Sequence, residues 1–242
     1  MNTTATEAVD AVEIKLTIRP DQELLAERAL EVGEDTAEVR RVYFYDTPDL
    51  ALFEAGVILR ARLVKDRDDD STVKLRAVEA ASISEQWRQS EGFKLETDWV
   101  GERTVCSASL TTVQRRDEID QVAEGKRAIG KLFSEDQERF VRELYQGPLD
   151  YGNLRVLGPI RVLRWKPKHE TFPHELTLEE WRLPNGEDLV EVSIKVDPNE
   201  AHRARSEFDA HLRQMGLDPK GVAQDTKTRT AMAYFAGNFS KP

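Results

Sequence analysis

The chain has 242 residues, 35 lysines and arginines against 45 aspartates and glutamates, and a net charge of −10. With 39% hydrophobic residues it can build a core, which excludes wholesale disorder, and its acidic excess argues against a nucleic-acid partner. No apolar run approaches the ~18 residues of a membrane-spanning helix, so no membrane partner is expected. The single cysteine, Cys106, rules out an internal disulfide and any multi-cysteine zinc site. The first residues have neither a basic nor an apolar leader segment, and a cytoplasmic protein is expected. Phosphate-cradling and dinucleotide glycine motifs and the G-x-S-x-G elbow are all missing.

Residues 1–10 are small and polar and read as a disordered tail, followed by one domain over 11–242. Val12, Ile14, Leu16 and Ile18 alternate with polar residues and predict a strand, and Pro20-Asp21 opens a helix ending near Gly33. Residues 40–46 predict a second strand stopped by Thr47-Pro48-Asp49. Val57–Val64 and Thr72–Ala77 predict two more, flanking a solvated acidic loop at Asp66–Asp70, and Phe93–Val100 predicts another. From Ser107 to about residue 146 the pattern predicts a helical insert, with Ser134 and Gln137 as a capping box and Gly147-Pro148 as its end. Pro159–Lys166, Glu175–Leu183 and Leu189–Val196 predict three strands, the last two joined by a turn at Pro184-Asn185-Gly186. Helices follow from Asp197-Pro198 to Gly216 and from about Asp225 to Phe235. The sum is an α+β fold, a largely antiparallel sheet with helices outside it.

Charge is sorted by face. Strand residues at i and i+2 share a face, and the polar positions pair as Glu13/Lys15, Arg60/Arg62, Lys74/Arg76, Lys94/Glu96, Arg164/Lys166 and Glu191/Lys195, with Glu179 beside them. That face holds nine cations against four carboxylates inside an acidic protein. For any single pair a solvated sheet face is the simpler account. The segregation favours another: like charges ~7 Å apart cost roughly 2 kcal/mol per pair at an effective dielectric of 20, and a multiply charged anion removes that cost. Arginine forks match phosphate oxygens, so a compact polyphosphate is the expected small-molecule partner. The few carboxylates suit Mg²⁺ or Mn²⁺ held together with substrate phosphates. The four histidines, His169, His174, His202 and His211, form no zinc pattern, and the tryptophans read as core or covering residues.

The segments VEIKL at 12–16, YFYDTPDLAL at 43–52, ILRAR at 58–62, TVKLR at 72–76, KLE at 94–96, RVLRWK at 161–166, LTLEEW at 176–181 and LVEVSIKV at 189–196 resemble, in order and spacing, the CYTH superfamily. These triphosphate tunnel metalloenzymes include thiamine triphosphatases, inorganic triphosphatases and class IV adenylyl cyclases. The resemblance implies an antiparallel eight-stranded β-barrel forming a tunnel with a polar interior, covered by helices. It also implies triphosphate binding by Lys15, Arg60, Arg62, Lys74, Arg76, Arg164, Lys166 and Lys227, and metal ligation by Glu13, Glu179 and Glu191. The family's Glu-x-Glu-x-Lys on the first strand is here Ala11-Val12-Glu13-Ile14-Lys15, and its last-strand Glu-x-Glu is Glu191-Val192-Ser193. Two carboxylates are thus replaced, and Asp10 and Glu175 are the nearby acids that could take their place. The implied activity is metal-dependent triphosphate hydrolysis, with a polyphosphate- or nucleotide-binding module, or a cyclase, as alternatives.

Overall fold

A computed structural model describes residues 9–145, 147, 149–168, 172–217 and 227–239. The expected tail at 1–8, His169, Pro148 and the expected helix start at Asp225 lie outside them. The strands are β1 (Ala11–Ile18), β2 (Glu38–Asp46), β3 (Val57–Val64), β4 (Asp69–Arg76), β5 (Phe93–Val100), β6 (Arg103–Gln114), β7 (Arg155–Trp165), β8 (Leu176–Arg182) and β9 (Asp188–Val196). The α-helices are α1 (Glu23–Ala29), α2 (Ala51–Glu54), α3 (Glu85–Arg88), α4 (Glu118–Ala123), α5 (Glu135–Tyr145), α6 (Ala201–Gln214) and α7 (Lys227–Phe239). The strands close into a barrel in the order β1-β5-β6-β4-β3-β2-β7-β8-β9. No helix among the described residues is long and apolar enough to cross a membrane.

Three expectations need correction. The barrel has nine strands rather than eight, and it is mixed rather than antiparallel, because β1 pairs with β5 in parallel register, Glu13 opposite Asp98. The helical insert does not begin at Ser107: β6 runs to Gln114, and helix starts only at Glu118. The sequence RTVCSASLTTVQ alternates small, hydroxylated and β-branched residues, which suits a strand but gives little hydrophobic signal. Finally, β7 begins at Arg155, before the expected Pro159, and passes through a cis Gly158–Pro159 bond. Gly158 has φ +147°, and a Cβ there would stand 2.9 Å from the Val42 carbonyl oxygen, so the strand needs glycine at this point.

Two compact units, both discontinuous in sequence, account for the chain. The first comprises 1–39, 96–105 and 161–227. In it β1 pairs with β9, and β9 with β8, so that Val12, Ile14, Leu16, Val192, Ile194 and Leu178 make one apolar face. Ala26 and Leu30 beside α1, and Ala204, Phe208 and Leu212 of α6, cover that face. Even-numbered residues of β1 are buried, and the odd-numbered Glu13 and Lys15 stand on the other face.

The second unit comprises 40–95, 106–160 and 228–242. Its ladder runs β2, β3, β4, β6. Two buried polar side chains organise its connections. Asp46, fully buried at the end of β2, accepts hydrogen bonds from the backbone N–H of Thr47 (2.7 Å), Leu52 (2.9 Å) and Phe53 (2.9 Å). The hydroxyl of Thr47 accepts from Ala51 N at 2.8 Å. This is the physical content of the YFYDTPDLAL segment: its Asp and Thr cap α2 and turn the chain into β3. The predicted capping box is present, with Ser134 N donating to Gln137 Oε1 (3.0 Å) and Gln137 N donating to Ser134 Oγ (3.2 Å). Gln137 also donates to the carbonyls of Ser71 and Leu110, both at 3.0 Å, and so fixes α5 to β4 and β6.

Asp46→Ala leaves three backbone donors without their acceptor and should cost about 2–4 kcal/mol in chemical denaturation. Gln137→Glu should also destabilise, because a carboxylate cannot donate to the two carbonyls. A loss below about 1 kcal/mol for both variants would show that water replaces these bonds.

Candidate functional site

In the first unit, the ladder register assembles the charged face. Across β5, β1, β9 and β8 the opposed pairs are Ala11/Glu96, Glu13/Asp98, Glu13/Lys195, Lys15/Ser193, Thr17/Glu191, Thr177/Ser193 and Glu179/Glu191, while Arg164 of β7 stands opposite Glu179. Residues paired across a ladder share a face, so Glu13, Lys15, Asp98, Glu179, Glu191 and Arg164 are neighbours by construction.

Lys15 Nζ donates to Asp98 Oδ1 at 2.7 Å and lies 2.9 Å from Glu13 Oε2. Lys227, at the start of α7, donates to Glu179 and lies 2.9 Å from Glu191 Oε1. Its ammonium also sits 5.1 Å over the Trp181 ring, whose Nε1 donates to Glu179 at 3.2 Å. Arg164 reaches Glu179 at 3.3 Å and Glu38 at 3.9 Å. Lys195 donates to Glu96 at 2.7 Å. Lys166, just past β7, is half exposed and paired with Glu175 at 2.5 Å rather than with these carboxylates.

Burial alone would discharge such lysines. It lowers the pKa of Lys15, but Glu13, Asp98 and Glu191 outweigh it and hold the ammonium above its ordinary range. The same opposition, with Glu179 and Glu191 as the acids, raises the pKa of Lys227. Burial raises Glu13, yet Lys15 outweighs burial and Asp98 and leaves its carboxyl below the ordinary value. Lys15 and Lys227 therefore stay cationic at neutral pH and Glu13 stays anionic. Neither lysine can act as a base there.

Asp98 is the residue that sequence reasoning missed. It is 3% exposed and adds a carboxylate beside Glu13, on a parallel neighbour that the sequence alone does not reveal. Neither of the two nearby acids plays this part: Glu175 is engaged by Lys166, and Asp10, one residue off the parity of Glu13, is exposed just before β1. Glu38 is a second acid that was not singled out.

In the second unit the charge is reversed. Arg60, Arg62, Lys74 and Arg76 project from one face of the β3–β4 ladder, where Arg60 stands opposite Thr72 and Arg62 opposite Asp70. Arg62 is clamped, its Nε donating to both Asp70 oxygens at 3.0 Å and its Nη2 lying 2.8 Å from Oδ2. Arg60 Nη2 donates to Thr72 Oγ1 at 3.4 Å. On the next strand Thr111, Ser109 and Ser107 stand opposite Thr72, Lys74 and Arg76, so a row of hydroxyls runs beside the cations. That row belongs to the stretch expected to be helical, which is why it was not recognised. The face of nine cations and four carboxylates anticipated from the sequence is thus divided: carboxylates interleaved with lysines in the first unit, guanidinium and ammonium groups beside hydroxyls in the second.

Two hard-oxygen sets could hold a metal ion in the first unit. One is Glu13, Asp98, Glu179 and Glu191, four carboxylates held by Lys15, Lys227 and Arg164, no three of which bring their oxygens within 4.8 Å of one another. The other is a triad, Glu23, Glu180 and Asp188, on the opposite side of the ladder.

No family model and no curated protein matches the sequence. Solved structures do. A Hippeastrum protein assigned as an adenylyl cyclase and showing a dominant triphosphatase activity aligns with TM-score 0.64 and 18% identity, over 92% of this chain and 95% of that one. A protein from Bacillus halodurans assigned as an adenylate cyclase aligns with TM-score 0.62 and 14% identity, over 91% of this chain and 96% of its own. At these identities the likeness concerns the fold, and with the strand order above it shows that the chain is built on the CYTH-type barrel.

Proposed function

We propose that this chain binds a triphosphate-bearing small anion and hydrolyses it with a divalent metal ion. The observation that carries the reading is the division of charge just described. Arg60, Arg62, Lys74 and Arg76 offer fork-shaped and point-like donors to phosphate oxygens, with Lys15, Arg164 and Lys227 as further cations. Ser107, Ser109 and Thr111 add neutral donors. Glu13, Glu179 and Glu191, joined by Asp98, would hold Mg²⁺ or Mn²⁺, ions that bind through carboxylates together with substrate phosphates. The fit rests on donor chemistry: the set is all oxygen, buried or half-buried, with four carboxylates against Lys15, Lys227 and Arg164. A bound divalent ion supplies polarisation of the terminal phosphoryl oxygen. The cations of this chain neutralise the phosphates, and Lys15 keeps Glu13 anionic. The triphosphatase activity of the Hippeastrum protein supports hydrolysis over cyclisation.

A second reading, binding without turnover, has its own support. Ala11 and Ser193 stand where the resembled family has carboxylates, and Asp70 already occupies Arg62. Phosphate release from inorganic tripolyphosphate with Mg²⁺ or Mn²⁺, against an EDTA blank and a Glu13→Gln variant, separates the two. Metal-dependent release lost in the variant establishes hydrolysis. Thermal stabilisation by tripolyphosphate with no release establishes the binder.

Arg62→Ala and Lys74→Ala should each weaken tripolyphosphate binding by roughly 10- to 100-fold in calorimetry, the worth of one charge-assisted contact. Unchanged affinity in both would remove the anion site from this face. Asp70→Asn, which releases the Arg62 fork, should leave that affinity equal or higher. Asp98→Asn should slow metal-dependent release about tenfold or more, and restoration of the rate by excess metal would identify the defect as metal affinity.

A further inference from the structure

The sheet of the first unit carries charge on its other side as well. Glu180 alternates with Glu179 along β8 and therefore points to the face covered by α1, away from the carboxylates already described. It is 1% exposed. One of its oxygens accepts from Arg182 Nε; the other, Oε2, is buried and has no hydrogen-bond partner. A buried carboxylate oxygen left unsatisfied is costly and rare in native proteins.

Two more carboxylates close on the same point. Asp188 opens β9 diagonally from Glu180, since Arg182 pairs with Asp188 and Glu180 with Val190. Glu23 is the first residue of α1. One oxygen from each of Glu23, Glu180 and Asp188 lies within 4.8 Å of the other two. Glu23 and Asp188 are half-buried, which leaves room for water ligands. The surrounding balance is negative: Glu34 takes up Arg161 and Arg182, the two arginines of this patch, and Glu27 adds a further acid on α1.

We propose that Glu23, Glu180 and Asp188 form a calcium-binding site that ties the start of α1 to the β8–β9 ladder. The donors are all carboxylate oxygens, which selects a hard cation. Three protein carboxylates with room for water suit Ca²⁺, which takes about six to eight oxygen ligands in flexible geometry, whereas Mg²⁺ is usually held by one or two carboxylates in near-ideal octahedral geometry. A Ca²⁺ bound there would stand beside Glu180, whose Oε2 has no hydrogen-bond partner in the protein. The proposal is independent of the hydrolytic reading, because it uses the opposite face of the sheet.

The test is thermal unfolding of the full chain, stripped with chelator and then titrated with CaCl₂ or MgCl₂ at constant ionic strength. Wild type should gain a saturable rise in Tm with Ca²⁺, and Mg²⁺ should give a smaller rise at equal concentration. Asp188→Asn and Glu23→Gln, both at half-exposed positions, should each lose the calcium response while retaining their phosphate release from tripolyphosphate. Glu13→Gln should keep the response. No calcium response in wild type, an equal response to both ions, or a response retained in Asp188→Asn and Glu23→Gln would overturn the proposal. A response lost only in Glu13→Gln would assign the calcium to the other face and overturn it too.

Discussion

A charge carried on a sheet face out of water must find its opposite close by, and in the first unit that requirement is met by two lysines. Lys15 holds Glu13 and Asp98, which the parallel β1–β5 register sets side by side. Lys227 holds Glu179 and Glu191, which the antiparallel β8–β9 register sets directly opposite each other. Without these ammonium groups the ladder would confront like charges at cross-strand distance, an arrangement that destabilises sheets. The register that makes the apolar face pack against α1 and α6 is the same register that brings the acids together. A slip of one residue would invert both faces at once.

The two charged sets follow different chemistry. Carboxylates interleaved with ammonium groups form a nearly closed electrostatic account. Guanidinium and ammonium groups beside serine and threonine hydroxyls make up the other, in which Asp70 clamps Arg62. In most glutamate–lysine networks on sheet surfaces the partners are exposed and worth little. Here Lys15, Lys227, Asp98 and Glu191 are largely withdrawn from solvent, so each depends on the others far more strongly.

Much of this was legible in the sequence wherever side chains alternate strongly. β1, β3, β5 and β9 fall where period-2 patterning put them, and Glu13, Lys15, Glu179 and Glu191 can be assigned to one face by parity alone. Parity cannot say which strands are neighbours. Asp98 sits two residues beyond Glu96 and looks like part of an ordinary polar face until β1 and β5 are known to pair. The clamp on Arg62 was hidden for a similar reason: Asp70 reads as loop acid in a run of aspartates, yet β4 already begins at Asp69. β6 escaped because serine, alanine and threonine at 107–112 carry little hydrophobic contrast, and the helical signal that follows from Glu118 was extended backwards over them.

The position of Lys227 along the chain sets an order of events during synthesis. Every strand of the barrel precedes it, so Glu179 and Glu191 are translated, and can pair across β8 and β9, before the residue that neutralises them has left the ribosome. During that interval Arg164, 3.3 Å from Glu179, and Lys15, which Glu191 acts upon, offset part of the charge, and water or a cation from the medium meets the rest. Docking of α7 then replaces that provisional partner with a permanent one. Lys227 is thereby the last of these charged residues to be made, and a chain that stalls before it carries a face still open to counter-ions.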